Sequence, residues 1–265
     1  MKIALHCNNS AHQKTHVAWM VEGLKRHGVE CVLAGYDEPV DCDAAVVWGW
    51  KQRRVSLHAR HVLVMERGHV GDRMRFTSMG WGGLGGRAKY ADGDDGGSRW
   101  RRYFGGLMRE WQPGGGSALI CGQCDGDASL WGMDFREWAT SITAALRRRE
   151  EVVVYRPHPL MLRNNLRWCP AGAEFSERSL EDDLKNAAFV VTYNSTVGGD
   201  AVMAGRATIT RDQGSMAWPV TSHSLDEVIV RPNREAWAHK LAWTQWLPEE
   251  IQSGDAWAAV SEVMQ

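Results

Sequence analysis

Apolar and polar positions along the chain follow two rhythms, separated by a stretch that follows neither. Residues 2–7 read as a buried strand, with Asn8, Asn9 and Ser10 as the loop that follows it. Val17, Met20, Val21 and Leu24 recur at helical spacing, which predicts a helix over residues 15–26 with Gly28 at its C-terminal cap. Apolar runs at residues 29–34, 43–48 and 61–65 predict three further strands, and this β-α-β-β order suits a small Rossmann-like domain. Periodicity then fails from residue 67 to 117, where glycine is dense. That region reads as a long loop broken by a helix-like piece near residues 100–111, and Pro113-Gly114-Gly115-Gly116 reads as a linker.

The second half returns to the α/β rhythm. Strands are expected at residues 118–121, 151–155, 189–192 and 207–210. Helices are expected at 134–149, with Phe135, Trp138, Ile142 and Leu146 on one face, and at 180–187, capped by Ser179 with Asp182 as its capping-box partner. Further helices are expected at 196–204, closed by Gly205, at 234–246, capped by Asn233, and over 249–264, broken at Gly254. The predicted fold class is α/β, with two Rossmann-like domains facing across a cleft. Residues 1–115 form the first domain, residues 116–232 the second, and residues 233–265 are helices that pack back on the first.

Composition narrows the classes of function. The 265 residues are 44% hydrophobic and carry a net charge of −1 from 31 basic and 32 acidic side chains, so contact with nucleic acid would need a local patch. Arg99-Trp100-Arg101-Arg102 is one such basic and aromatic run. Fourteen tryptophans are many, and most are expected in the core. Of six cysteines only Cys121 and Cys124 form a CxxC; without a second pair it is no zinc site, and its polar surroundings read as a loop rather than a redox motif. Scattered free thiols point to a reducing, cytoplasmic compartment. No apolar run is long enough to span a membrane, and the opening residues read as a first strand rather than a signal peptide.

Four constellations carry candidate chemistry. Arg156-Pro157-His158-Pro159 ends a valine-rich strand, and its prolines make a rigid turn that presents a guanidinium and an imidazole. Asn194-Ser195-Thr196 precedes a helix, where free amides favour an anion, and Gly198 and Gly199 would let a phosphate approach while Asp200 meets a ribose hydroxyl. Gln123 and Ser129 lie in the loop after the first strand of the second half, within reach of a phosphate or sugar. Glu66 and Asp72 follow a strand of the first half and are candidate bases toward a hydroxyl. The glycine-rich loop at residues 80–97 would bind an acceptor or close over it, and His69, Arg73, Trp81 and Arg87 are the candidate acceptor-binding residues. No metal-ligand set is visible.

The R-P-H-P turn, followed by Asn194-Ser195-Thr196-Val197-Gly198-Gly199-Asp200-Ala201 and then Gly205, resembles glycosyltransferases of the GT-B fold, in particular the capsule-polysaccharide, Kdo-transferase-like group. Gly122-Gln123 with Asp127-Ala128-Ser129, and Glu66-Arg67-Gly68, resemble loops of the same group. Asp200 stands where many relatives carry Glu. The short, tryptophan-rich form is also similar to bacteriophage glycosyltransferases that decorate hydroxymethylated pyrimidines in DNA. The resemblance implies sugar transfer from a nucleotide sugar, a UDP-sugar foremost, with no tightly bound cofactor and no metal. Gln123, Ser129, Arg156, His158, Asn194, Ser195, Thr196 and Asp200 would bind the donor, and Glu66, Asp72 and His158 would be catalytic. The acceptor would be modified DNA or a glycan. A nucleotide-sugar isomerase and a non-catalytic nucleic-acid-binding protein are the rival readings.

Overall fold

The computed structural model describes residues 1–8, 10–50, 58–149 and 151–264. The chain divides into two compact units, Met1–Phe104 with Glu235–Gln265, and Gly105–Arg234. The division at Phe104 and Gly105 leaves the Pro113–Gly116 run inside the second unit. There the amides of Gly115 and Gly116 donate to the carbonyls of Ala187 and Asn186 at 3.0 and 3.1 Å, so this run is pinned to a strand end and does not act as a free linker.

The first unit is built on a six-stranded sheet. Its strands are β1 (Lys2–His6), β2 (Glu30–Ala34), β3 (Cys42–Trp48), β4 (Ala59–Arg67), β5 (Thr77–Trp81) and β11 (Gln245–Trp246), in the order β11-β5-β4-β3-β1-β2. β1 to β4 are mutually parallel, while β5 runs antiparallel to β4 and to β11. Helix α1 (Ala11–Arg26) begins at Ser10, whose hydroxyl accepts from the Gln13 amide, and buries Val17, Met20 and Leu24 against the sheet. Helices α8 (Pro248–Ser253) and α9 (Asp255–Ser261) complete the core with Ile251, Trp257 and Val260, joined by Gly254 at φ 87° as the break in the pattern predicted.

Two elements differ from the sequence expectation. β5 lies in a region expected to be loop. All five residues of Thr-Ser-Met-Gly-Trp are buried, but only two are large and apolar, so no apolar run marks the strand. The helix expected through residue 246 stops as α7 (Glu235–Ala242), and Gln245–Trp246 instead adds a strand beside β5. The glycine-rich stretch is correspondingly not an open loop. A Cβ at Gly93 would collide with the Trp243 ring, so glycine is there for close packing.

The second unit holds a five-stranded, wholly parallel sheet of β6 (Ser117–Cys121), β7 (Val153–Arg156), β8 (Glu174–Phe175), β9 (Ala187–Thr192) and β10 (Thr208–Thr210), in the order β10-β9-β6-β7-β8. Helix α3 (Phe135–Arg147) is capped by Asp134, which accepts from the amides of Arg136 and Glu137. Helix α5 (Leu180–Asn186) is capped by Ser179, whose hydroxyl accepts from the Asp182 amide and donates to its carboxylate. The short helices α4 (Pro159–Arg163) and α6 (Val197–Met203) start at the carboxyl ends of β7 and β9. Among the described residues no helix is long and apolar enough to cross a membrane.

Of the tryptophans, Trp81, Trp100, Trp237, Trp246 and Trp257 are buried. The Arg99–Arg102 run lies on α2 (Ser98–Tyr103) and is not a basic stripe. Arg99 is buried, paired with Glu250 through both terminal nitrogens, and stacked over Trp243 and Trp246, while Trp100 sits in the core. Arg101 is turned back onto the Gly96 carbonyl at 2.8 Å.

Candidate functional site

Because β6 to β10 all run the same way, their loops gather at one edge. The chain leaves β6 toward β7 on one side and returns to β9 on the other, so the gap between β6 and β9 is the topological switch point at which open α/β sheets bind ligands. Gln123 follows β6 and Asn194 follows β9, and the two side chains join across that gap. The Gln123 amide donates to Asn194 Oδ1 at 2.7 Å, and Gln123 Oε1 accepts the Asn194 backbone N–H at 3.1 Å. Asn194 Nδ2 then donates to the Ser129 carbonyl at 2.8 Å and to Asp212 Oδ1 at 3.0 Å. Both side chains are buried. Gln123 and Asn194 were expected to touch the donor; the structure makes them the floor that fixes the loops after β6, β9 and β10. Ser129 serves this network through its carbonyl.

The turn after β7 is locked to the same floor. Gly122 N donates to the Arg156 carbonyl at 2.7 Å, and a Cβ at Gly122 would lie 2.7 Å from the Tyr155 hydroxyl and 3.1 Å from His158 N. Only glycine lets the two loops approach so closely. His158 caps α4: its Nδ1 accepts the Leu160 amide at 3.1 Å and lies 3.2 Å from Cys124 Sγ. Accepting at Nδ1 puts the ring proton on Nε2, which becomes the donor. Burial lowers the His158 pKa, so the ring is neutral at physiological pH, with Asp127 opposing the shift and Arg163 reinforcing it. Cys121 is buried in β6 and its thiol is pushed up to about 12, which makes it inert, and neither CxxC cysteine is in a disulfide.

Arg156 departs from expectation. Its Nη1 donates to Asp183 Oδ2 at 2.7 Å and to the Arg178 carbonyl at 2.6 Å. The Asp183 side chain has no exposed surface, and its other oxygen accepts the Ser176 hydroxyl at 2.6 Å. The guanidinium therefore ties the end of β7 to α5 and fixes the turn that carries His158.

At the start of α6, Ser195 Oγ accepts the Val197 amide at 3.3 Å, and Thr196 is the exposed N-terminal cap. A Cβ at Gly198 would press on Thr192 at 3.1 Å, so that glycine serves packing between helix and sheet. A Cβ at Gly199 would meet nothing within 4 Å, so space opens over the first turn there. Asp200 lies half-buried on the same turn.

In the first unit the expected acceptor residues do not form one surface. Trp81 is buried, and its indole N–H donates to the Val260 carbonyl at 2.8 Å, a core role. His69 is buried as well, with Nε2 3.0 Å from the Tyr90 hydroxyl. Its amide and that of Val70 both donate to Gln245 Oε1, at 2.6 and 3.1 Å. Arg73 donates to the His69 carbonyl at 3.3 Å, and Arg87 sits half-buried in a 3-10 turn, Gly85–Arg87. Asp72 spends its Oδ1 on the amides of Met74 and Arg75, at 3.0 and 3.3 Å, so it closes a turn. Glu66 is the next-to-last residue of β4 at the carboxyl edge, half-buried beside Gly49. Sequence reading missed His12 and His16, which gather with Trp48 near the end of β3. Their spacing of four residues, one helical turn, was the available signal.

No family model matches this chain, and no curated protein matches it. Among solved structures it is similar to the beta Kdo 2,7 transferase of Thermosulfurimonas dismutans KpsC, with 14% identity, a TM-score of 0.56, and 97% of this chain and 99% of that chain covered. It is also similar to the beta Kdo 2,4 transferase of the same protein, with 16% identity, a TM-score of 0.62, and 90% of this chain and 89% of that one covered. At such identity the likeness shows the fold, the α/β, GT-B-like class expected from the sequence.

Proposed function

We propose that this protein is a glycosyltransferase that moves a sugar from a nucleotide sugar, a UDP-sugar foremost, to a hydroxyl of a glycan. The observation that carries the reading is the Gln123–Asn194 floor at the switch point of the second sheet, with His158 Nε2–H, the Ser195 and Thr196 hydroxyls and the open turn at Gly199 near the same edge. Fold likeness to two enzymes named as Kdo transferases supports it. The glycan is preferred over DNA because, in the basic and aromatic run at residues 99–102, Arg99 is folded inward on Glu250 and Trp100 is buried.

In this reading the acceptor oxygen bonds to the anomeric carbon as the bond from that carbon to the phosphate oxygen breaks. The nucleotide leaves with the electron pair, and the acceptor proton passes to a base, for which Glu66 is the candidate. His158 Nε2–H, Ser195 and Thr196 donate to the phosphate oxygens, where charge develops, without a metal ion. Asp200 accepts from a ribose hydroxyl. Arg156, Gln123 and Asn194 are positioning residues.

The test is a thermal-shift comparison of UDP-, GDP-, CMP- and ADP-linked ligands. One of them at a hundredfold its Kd should stabilise the protein by about 2.7 kcal/mol. His158→Asn keeps an N-cap acceptor but removes the Nε2 donor, so its Tm should stay close to wild type while the ligand shift is lost. No stabilisation of the wild type by any nucleotide would overturn the reading. Gly199→Ala separates packing from binding. It should raise stability by about 1 kcal/mol through helix propensity, yet weaken the same nucleotide by about 1–3 kcal/mol through crowding of the first turn. Unchanged affinity in that variant would move the ligand away from α6.

A further inference from the structure

The first sheet has a switch point of its own. β1 lies between β2 and β3, so the gap between β1 and β3 is where its ligand edge opens. Helix α1 starts there, and His12 and His16 lie one turn apart on it. Their ring centres are 4.3 Å apart. Trp48, the last residue of β3, meets His12 edge-on at 4.2 Å and His16 at 4.5 Å. Arg67, the last residue of β4, holds its guanidinium 5.8 Å from the centre of the Trp48 ring. Trp48 is paired with Met65, and strand alternation puts Arg67 on the same side of the sheet as Met65, with Glu66 on the other. Two imidazoles and a guanidinium thus gather on one side of the sheet at its ligand edge.

The hydrogen bonds leave this cluster unfinished. His16 Nδ1 donates to the His12 carbonyl at 2.8 Å, whereas His12 Nε2 is buried and has no hydrogen-bond partner among the described residues. Among the described residues, the titratable and charged groups that act on His12 are His16 from α1 and Arg67 from β4, while β3 contributes the neutral Trp48. Burial first, then His16 and Arg67, hold His12 down to about 4. An apolar cluster would fill this space without that repulsion, and an anion beside Arg67 would reverse its sign.

We infer that His12, His16, Trp48 and Arg67 form an anion subsite of the first unit, which takes a phosphate or carboxylate group carried by the acceptor. Arg67 is the fixed cation, and in acidic solution His12 takes a proton from solvent as the anion binds. That the anion belongs to an acceptor rests on the sugar-transfer reading; the binding of an anion does not.

The experiment follows the His12 ring proton by NMR in the full chain from about pH 7 to about pH 3.5, a window that brackets a midpoint near 4, with inorganic phosphate in one arm and glucuronate in the other. His12→Gln assigns the signal. The expected result is a rise in the His12 midpoint of about one unit with at least one probe, and hence an affinity that grows about tenfold as the pH falls through that window. The arm that responds tells phosphate from carboxylate. Arg67→Gln should keep the fold by circular dichroism and weaken the same probe about tenfold, the equivalent of that one-unit coupling. A midpoint unmoved by both probes, or an Arg67→Gln variant that binds as tightly as wild type, overturns the inference. Nucleotide binding in the second unit is read separately, so either conclusion can fail while the other stands.

Discussion

Asp183→Ala is expected to lower stability by about 3–5 kcal/mol, the cost of removing one partner from a buried ion pair. The arithmetic rests on what the change leaves behind. The Asp183 side chain is wholly buried, and its two oxygens accept from Arg156 and from Ser176. Alanine strands a guanidinium that is itself only 19% exposed, together with a hydroxyl that has lost its acceptor. Equilibrium urea unfolding measures the loss. The double variant Arg156→Met with Asp183→Leu is the control: if the stranded charge is the cause, the double variant is more stable than Asp183→Ala alone. Equal losses in the two would show that Asp183 acts through α5 packing instead. On the proposed function, Asp183→Ala should also lose nucleotide binding, because Arg156 fixes the turn that carries His158.

That pair also shows how far the sequence could be read. The strand before Arg156 is an apolar run and the two prolines mark a turn, so the element and its place at a ligand edge were legible. The direction of the guanidinium was not, because Asp183 is 27 residues away and its burial depends on how α5 packs. The same limit separates Gln123 and Asn194 from their expected role. They are 71 residues apart, and only the parallel pairing of β6 with β9 makes them partners. Trp81 looked like an acceptor platform because β5 was read as loop, and once that strand is buried its indole belongs to the core. β11 was missed for a related reason. Gln245 is polar and Trp246 continues the α7 pattern, yet a fully buried glutamine is what closes the His69–Val70 amides onto the sheet.

The clusters that the sequence did locate lie at carboxyl strand ends, and strand ends are what hydrophobic periodicity marks best. His12 and His16 were passed over because α1 was read as starting at residue 15, after His12. The helix begins at Ala11 instead, with Ser10 as its cap. A start four residues earlier turns an unremarkable pair of histidines into neighbours on one helical face.

Stability should fall as the pH drops below 6.5, with His69 contributing about 3 kcal/mol of that loss by the time pH 4 is reached. Burial, reinforced by Arg73, lowers the His69 pKa to about 4. The physical cause is visible in its surroundings. Nε2 faces the Tyr90 hydroxyl, and Nδ1 is buried with no hydrogen-bond partner among the described residues, so a second ring proton finds no acceptor there. Burial also pushes the Tyr90 phenol up, so it stays protonated. The unfolded chain binds the His69 proton from about pH 6.5 downward, whereas the folded chain refuses it until about pH 4. The contribution is therefore complete above 6.5, shrinks through the window, and is gone below 4. Burial also lowers His6, His12, His16 and His158, and all of them steepen the same slope. The measurement is accordingly a difference: urea unfolding of wild type and of His69→Gln at pH 7, 5.5 and 4.5. Glutamine removes the titration but keeps a polar group near Tyr90, so the variant should start less stable and lose less on acidification. Parallel curves for the two proteins would mean that His69 takes up its proton as readily in the fold as in the unfolded chain, and that the acid sensitivity of the first unit lies with His6, His12 and His16 instead.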